Sequence, residues 1–278
     1  MATIGTDPEL FLQDKAGEAV PVCGLVGGSK DEPLSLGLEG YAVQEDNVML
    51  EFNVPASRTA TAFSNSIIEG LRRCSSLVRT SRDGLALHIV PEQWFPQSRL
   101  NVHGADKFGC SVDFKAHEGG AQASTISPTA LQEGEGAWRF AGGHVHLGYD
   151  ATWEVPDAVV AQFADLFLGL PSLAYDKQPH RRELYGEAGR YRPTPYGIEY
   201  RTLSNQWLAS TERTHRVGIN ALALCHYIES RSKAELISVY KEIPWEDVQL
   251  AINNEDQSAG GAILRETTAM GVTVGVVL

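Results

Sequence analysis

No stretch of this chain approaches the ~20 consecutive apolar residues that a bilayer-crossing helix requires. Its opening Thr3-Ile4-Gly5 reads as a strand, not as the apolar centre of a secretory leader. Basic residues are scarce. The 23 Lys and Arg stand against 35 Asp and Glu, a net charge of -12, so nothing general attracts a nucleic-acid backbone. That acidity still allows a small nucleotide in a local basic pocket. Cys23, Cys74, Cys110 and Cys225 form no C-x-x-C pair, which predicts a reduced, cytoplasmic protein. There is no G-x-S-x-G elbow, so a Ser-His-Asp hydrolase lacks support. Gly24 to Lys30 fails the phosphate-loop pattern, because Ser29 precedes Lys30 and no helical periodicity follows. A weaker role is left for it, as a flexible loop that delivers Lys30 to a substrate. With 278 residues, 43% of them hydrophobic, and no repeat, low-complexity tract or linker, one domain over 1–278 is expected.

What is present is a set of polar alternations. Asp7-Pro8-Glu9, Glu45-Asp46-Asn47 with Glu51-Phe52-Asn53, His144-Val145-His146 and Glu199-Tyr200-Arg201 each repeat polar groups at every second residue. Alternate residues of a strand share a face. Val48, Leu50, Val145, Leu147, Ile198 and Tyr200 then form an apolar back. The pattern predicts one strand over 3–12 and a second from 43 to 55, closed by Pro55. An amphipathic helix over 58–80 carries Phe63, Ile67, Leu71, Cys74 and Val78. Pro156 starts a helix running to about Gly169, an arginine-rich loop spans 180–195, and a strand follows at 197–204. Further helices are expected over 211–230 and 245–254. The class is α+β.

Three groups of residues carry chemistry. Asp7, Glu9 and Glu51 offer the oxygen ligands that a hard cation such as Mg²⁺ prefers, alongside phosphates and water. The plain alternative is a solvated acidic sheet face. His144 and His146 follow two glycines, and an H-x-H strand suits zinc or a softer position in a magnesium or manganese site. The same pair also reads as two satisfied histidines. Gly142 and Gly143 are expected to let a ligand approach the backbone. Arg181, Arg182, Arg190, Arg192 and Arg201 crowd a short stretch of an acidic chain, and guanidinium forks match phosphate oxygens. A solvated basic turn is the alternative.

In order along the chain, these segments resemble the glutamine synthetase superfamily. Gly5-Thr6-Asp7-Pro8-Glu9-Leu10-Phe11 is similar to its first metal-binding strand, with Asp7 in place of a glutamate. The segment Glu45 to Asn53 resembles its next acidic strand, Gly143 to His146 its histidine strand, and Glu199-Tyr200-Arg201 its late Glu-x-Arg. The closest likeness is to the phage-type carboxylate-amine ligases, small relatives of glutamine synthetase and γ-glutamylcysteine ligase. It covers roughly residues 3 to 210.

The resemblance implies a curved, largely antiparallel half-barrel sheet with helices on its outer face. It implies ATP-dependent amide formation through an acyl phosphate, with Mg²⁺ or Mn²⁺ held by Asp7, Glu9, Glu51, His144 and Glu199. Arg201 with Arg190 or Arg192 would stabilise the transferred phosphoryl group. His146 and Lys30 would contact ATP or substrate, and Glu45, Asp46 or water would accept the proton of the amine. The partners implied are a small carboxylate and a small amine, in the host cytoplasm if the gene is phage-borne. Neither a nucleic-acid polymer nor a membrane is expected. Two other enzymes compete: a guanidino phosphotransferase of the same fold, and a zinc hydrolase built on His144 and His146. A non-catalytic binding protein is the fourth reading.

Overall fold

The computed structural model describes residues 2–103, 105, 113–123, 131–150 and 153–275. Cys110 lies outside them; Cys23, Cys74 and Cys225 form no disulfide with one another. All strand pairs are antiparallel, and they form a curled α+β assembly of two larger sheets and one smaller sheet with helices behind.

The first strand breaks in two where one was expected. β1 (Thr3–Thr6) and β2 (Glu9–Gln13) belong to different sheets. Pro8 offers no N–H to a ladder and restricts the residue before it, so the chain changes sheets at Asp7-Pro8. The expected strand 43–55 is likewise a hairpin, β5 (Tyr41–Asp46) and β6 (Met49–Asn53). Asn47, left-handed with φ 59°, makes the turn, and Asn tolerates that conformation.

One sheet runs β3 (Ala19–Val20), β2, β6, β5 and β4 (Leu34–Leu38), with β7 (Ala86–His88) beside β2. The small sheet joins β8 (Glu92–Pro96), β11 (Gln132–Glu133) and β12 (Gly136–Phe140). The other large sheet runs β1, β13 (Val145–Gly148), β15 (Gly197–Tyr200), β14 (Arg190–Thr194), β9 (Phe114–Lys115) and β10 (Ala121–Gln122). Much of the expected arginine loop is therefore ordered. Pro179–Leu184 is a short helix and Arg190–Thr194 a strand.

Helix α1 (Ala60–Ser81) starts at Thr59, whose side chain accepts the Ala62 N–H, and buries Phe63, Ile67, Cys74 and Val78. It packs against the long helix Thr211–Glu229, which is capped by Ser210. The helix begun after Pro156 runs Asp157–Ala164 and widens into a π-turn at Asp165–Gly169. There the fully buried Asp165 accepts hydrogen bonds from the Tyr200 hydroxyl (2.6 Å) and the Gly189 N–H (2.9 Å). Tyr200 is thus pinned from behind, and its neighbours Glu199 and Arg201 face the other way. Lys233–Glu242 and Gln257–Ala269 are helices that the sequence did not announce. Among the described residues, no helix is long and apolar enough to cross a membrane.

Candidate active site

Register builds the site. Across one large sheet, Gly5, His146, Glu199 and Arg192 are direct cross-strand partners in one row. Across the other, Glu9, Glu51 and Gln44 form a second row. Directly opposed residues place their Cβ atoms about 5 Å apart on a shared face. Asp7, in the link between the sheets, reaches the first row. The site therefore spans a seam between two sheets, where the sequence suggested a single face.

Two groups of donor atoms result, Asp7 with His146 and Glu199, and Glu9 with Asp46 and Glu51. Within each group the atoms lie no more than 4.8 Å apart. His146 Nε2 stands 3.0 Å from Asp7 Oδ1, yet neither buried atom makes a hydrogen bond of acceptable geometry. His144 Nδ1 lies 3.1 Å from Glu199 Oε1 and 3.6 Å from Asp7 Oδ1. The sequence reading gave the ligand role to His144 and the substrate role to His146; His146 joins the first donor group, and His144, between Glu199 and Asp7, lines the cavity. Hard oxygen donors with one imidazole, converging with orphaned lone pairs, fit one or two divalent cations.

The hairpin register separates Glu45 from Asp46. Glu51 pairs with Gln44, so Gln44 and Asp46 share its face, and Glu45 pairs with Leu50 on the other. The Glu45 carboxylate accepts the N–H groups of Gly24, Val26 and Gly27 at 2.7, 2.9 and 2.8 Å. It fastens that loop while lining the cavity, whereas Asp46 is grouped with Glu9 and Glu51. Lys30, farther along the same loop, lines the cavity.

Glu199 is paired with both Arg192 and Arg201, and Arg201 Nε lies 3.6 Å from Asp113 Oδ2. Arg190 departs from its expected role. Its guanidinium binds Glu187 (2.9 Å) and Asp113 (3.2 Å) and does not line the cavity. Arg182 is buried against the Gly186 and Thr202 carbonyls. Arg181, bound to Gln178 Oε1 and the Thr202 and Arg201 carbonyls, does line the cavity.

The cavity holds about 480 Å³. Beyond the acids and arginines, its wall includes Met49, Leu131, Arg139, Phe140 and Tyr185. Neither these five nor Asp113 was singled out from sequence.

Gly142 and Gly143 are small for a reason other than ligand access. A Cβ on Gly142 would sit 2.2 Å from His144 Nε2, and one on Gly143 2.2 Å from the Ser204 carbonyl oxygen. The Gly142 N–H donates to Glu9 Oε2 (2.5 Å), and Trp207 Nε1–H donates to the Gly143 carbonyl (3.0 Å). Gly143→Ala drives a methyl into backbone that cannot yield. It is expected to cost ~1–3 kcal/mol or more, seen as a melting temperature lower by roughly 5 °C. Calorimetry showing an unchanged transition would mean the neighbouring segment relaxes freely.

The electrostatics are polarised. Burial pushes the Asp46 carboxyl up to about 6, with Glu9 adding to it. Glu51 is raised well above the usual carboxylate range, first by burial and then by Asp7, Glu9, Asp46 and Glu199. For Glu199 burial acts upward, but Arg201 and His144 outweigh it and hold the group at about 2. Asp7 is held low in the same way, His146 and His144 overcoming its burial. Burial works against the charged imidazoles of His144 and His146, yet the carboxylates around them raise both. Acids with raised and lowered carboxyl pKa values side by side, among guanidinium groups, mark the cavity as a candidate functional site.

Residues 136–244 match the family described as Phage phiEco32-like COOH.NH2 ligase-type 2. The matched stretch, under half of the chain, holds the His144–His146 strand, the arginines from 181 to 192 and Glu199–Arg201. The resemblance to carboxylate-amine ligases read from the motifs is borne out there. No curated protein matches the chain. A solved structure titled "GmaS/ADP complex-Conformation 1" is similar over 96% of this chain and 68% of its own. At 12% identity and a TM-score of 0.39 that likeness is too distant to bear on function.

Proposed function

We propose that the protein is an ATP- and Mg²⁺-dependent carboxylate-amine ligase that makes an amide through an acyl phosphate. The observation that carries this reading is the convergence of Asp7, Glu9, Asp46 and Glu51 with Arg192 and Arg201 around one cavity, with His146 and Glu199 grouped on Asp7 at its edge. Divalent cations held by the six would neutralise a triphosphate beside these carboxylates.

The chain's own groups then have distinct tasks. Arg201 and Arg192, fixed by Glu199, present guanidinium forks at the cation-binding face, where charge builds on a phosphoryl group in transfer. The substrate carboxylate attacks the γ-phosphorus and ADP leaves; an amine then displaces phosphate from the acyl carbon. Asp46, with a carboxyl near 6, is suited to accept the proton that the amine gives up. The same Asp46 is a cation ligand candidate, and it serves the reaction in either capacity.

Protein given Mg-ATP and a pool of carboxylates and amines is expected to release ADP only when both are present. ADP release that requires no amine would favour a guanidino-type or simple phosphotransferase. Stoichiometric zinc in protein that ignores ATP would favour a zinc hydrolase on His144 and His146. Glu9→Gln is expected to shift the magnesium titration of activity upward by ~10-fold or more, since one charged ligand is lost. If the titrations of variant and parent overlay, Glu9 is not a ligand.

A further inference from the structure

Tyr196 stands outside the set of acids and arginines and is 47% exposed, on the short connection between β14 and β15. Its place is nonetheless fixed. The Tyr196 carbonyl accepts the Tyr149 N–H at 2.9 Å, just beyond the end of β13. Next to it, Gly197 takes φ 145°, and a Cβ there would meet the Leu147 carbonyl oxygen at 2.1 Å. The Tyr196 ring stacks on the His146 ring, centroids 5.9 Å apart and planes 22° apart. Its hydroxyl lies 2.8 Å from His146 Nδ1.

We propose that Tyr196 is a positioning residue for His146, fixing the imidazole so that Nε2 is offered to a divalent cation together with Asp7 and Glu199. The inference rests on the cation-binding reading above and adds a residue to it. An imidazole that ligates through Nε2 needs its proton on Nδ1 and an acceptor for that proton. In that tautomer the Tyr196 oxygen, 2.8 Å away, is the acceptor. At the other nitrogen, Nε2 and Asp7 Oδ1 approach to 3.0 Å without hydrogen-bond geometry, as two donor atoms converging on a shared ion would. A tyrosine hydroxyl is a milder partner than a carboxylate, so it orients the ring without adding charge to an already acidic site.

The test is Mn²⁺ binding to the whole protein, followed by isothermal titration and by electron paramagnetic resonance, for the parent, Tyr196→Phe and Tyr196→Leu. Tyr196→Phe keeps the stacked ring and removes only the oxygen. It is expected to weaken one class of Mn²⁺ site by ~10-fold or more, with the melting temperature of the metal-free protein unchanged. In the magnesium-loaded parent, imidazole ¹⁵N spectra are expected to show His146 protonated at Nδ1. Parent-like Mn²⁺ affinity in Tyr196→Phe overturns the proposal, and so does a proton on Nε2 in the loaded protein. Loss of affinity in Tyr196→Leu but not in Tyr196→Phe also overturns it, giving the effect to the ring alone. A parent that binds no Mn²⁺ would instead sink the cation-binding reading, a separate result.

Discussion

Glu51→Gln is expected to make the metal-free protein more stable at pH 8 while abolishing most of its stabilisation by Mg²⁺. The carboxyl of Glu51 is raised by burial and by four neighbouring acids, so its ionised form is disfavoured in the folded state. A group raised in the fold contributes stability that is complete below its unfolded value and is lost as pH climbs through the folded one. At pH 8 the parent bears that loss; at pH 4 it does not. Glutamine keeps the shape and still accepts the Gln44 side-chain N–H, which lies 3.1 Å away in the parent. The variant should therefore melt a few degrees above the parent in chelator at pH 8, with no such gap at pH 4. In the parent, a cation at ~100 times its dissociation constant adds about 2.7 kcal/mol, roughly 5–10 °C for a chain of this size. The variant should gain little of this. A variant that melts at or below the parent at pH 8, or responds fully to Mg²⁺, would show that Glu51 bears no repulsion that a cation relieves.

Arg201→Lys is the second large effect, a kcat lower by ~10-fold or more. The substitution preserves charge but not the planar fork. In the fold Arg201 pairs with Glu199 and lies 3.6 Å from Asp113, so its orientation is held from two sides. The surrounding acids raise its pKa further, against the effect of burial, and it stays cationic throughout. An ammonium can satisfy Glu199 and yet fail to present two parallel N–H groups to a phosphoryl oxygen pair. Because the loss belongs to the transition state, kcat should fall and KM for ATP should change little. Turnover equal to the parent's, in single-turnover and steady-state assays, would remove Arg201 from the phosphoryl group.

Much of this was legible because strand parity is a strong signal. Glu9 and Glu51, His146 and Glu199 fall on facing positions once the strands pair, and alternation predicts which residues share a side. Parity cannot say which strands belong to which sheet. A proline placed where a ladder must break, Pro8, moved Glu9 into a different sheet from Thr6. Nor can it choose between Glu45 and Asp46, since the choice depends on the register of a hairpin whose turn sits inside the acidic segment itself. The glycines were legible as close approaches, but what approaches is the ring of His144 and the Ser204 carbonyl. Arg190 and Arg192 looked alike from their numbers. Only the acids beside them, Glu187 and Asp113 for one and Glu199 for the other, give them different tasks.

The two-residue link Asp7-Pro8 has a mechanical meaning. It is all that separates the strand bordering the first donor group from the strand that supplies the second. Proline fixes one of the few torsions available there, and Gly142 clamps Glu9 through its N–H and its carbonyl, at 2.5 and 2.9 Å. Sliding of one sheet past the other would have to stretch a strut with almost no slack. The spacing between the two groups is thereby set in the backbone, before any ion arrives.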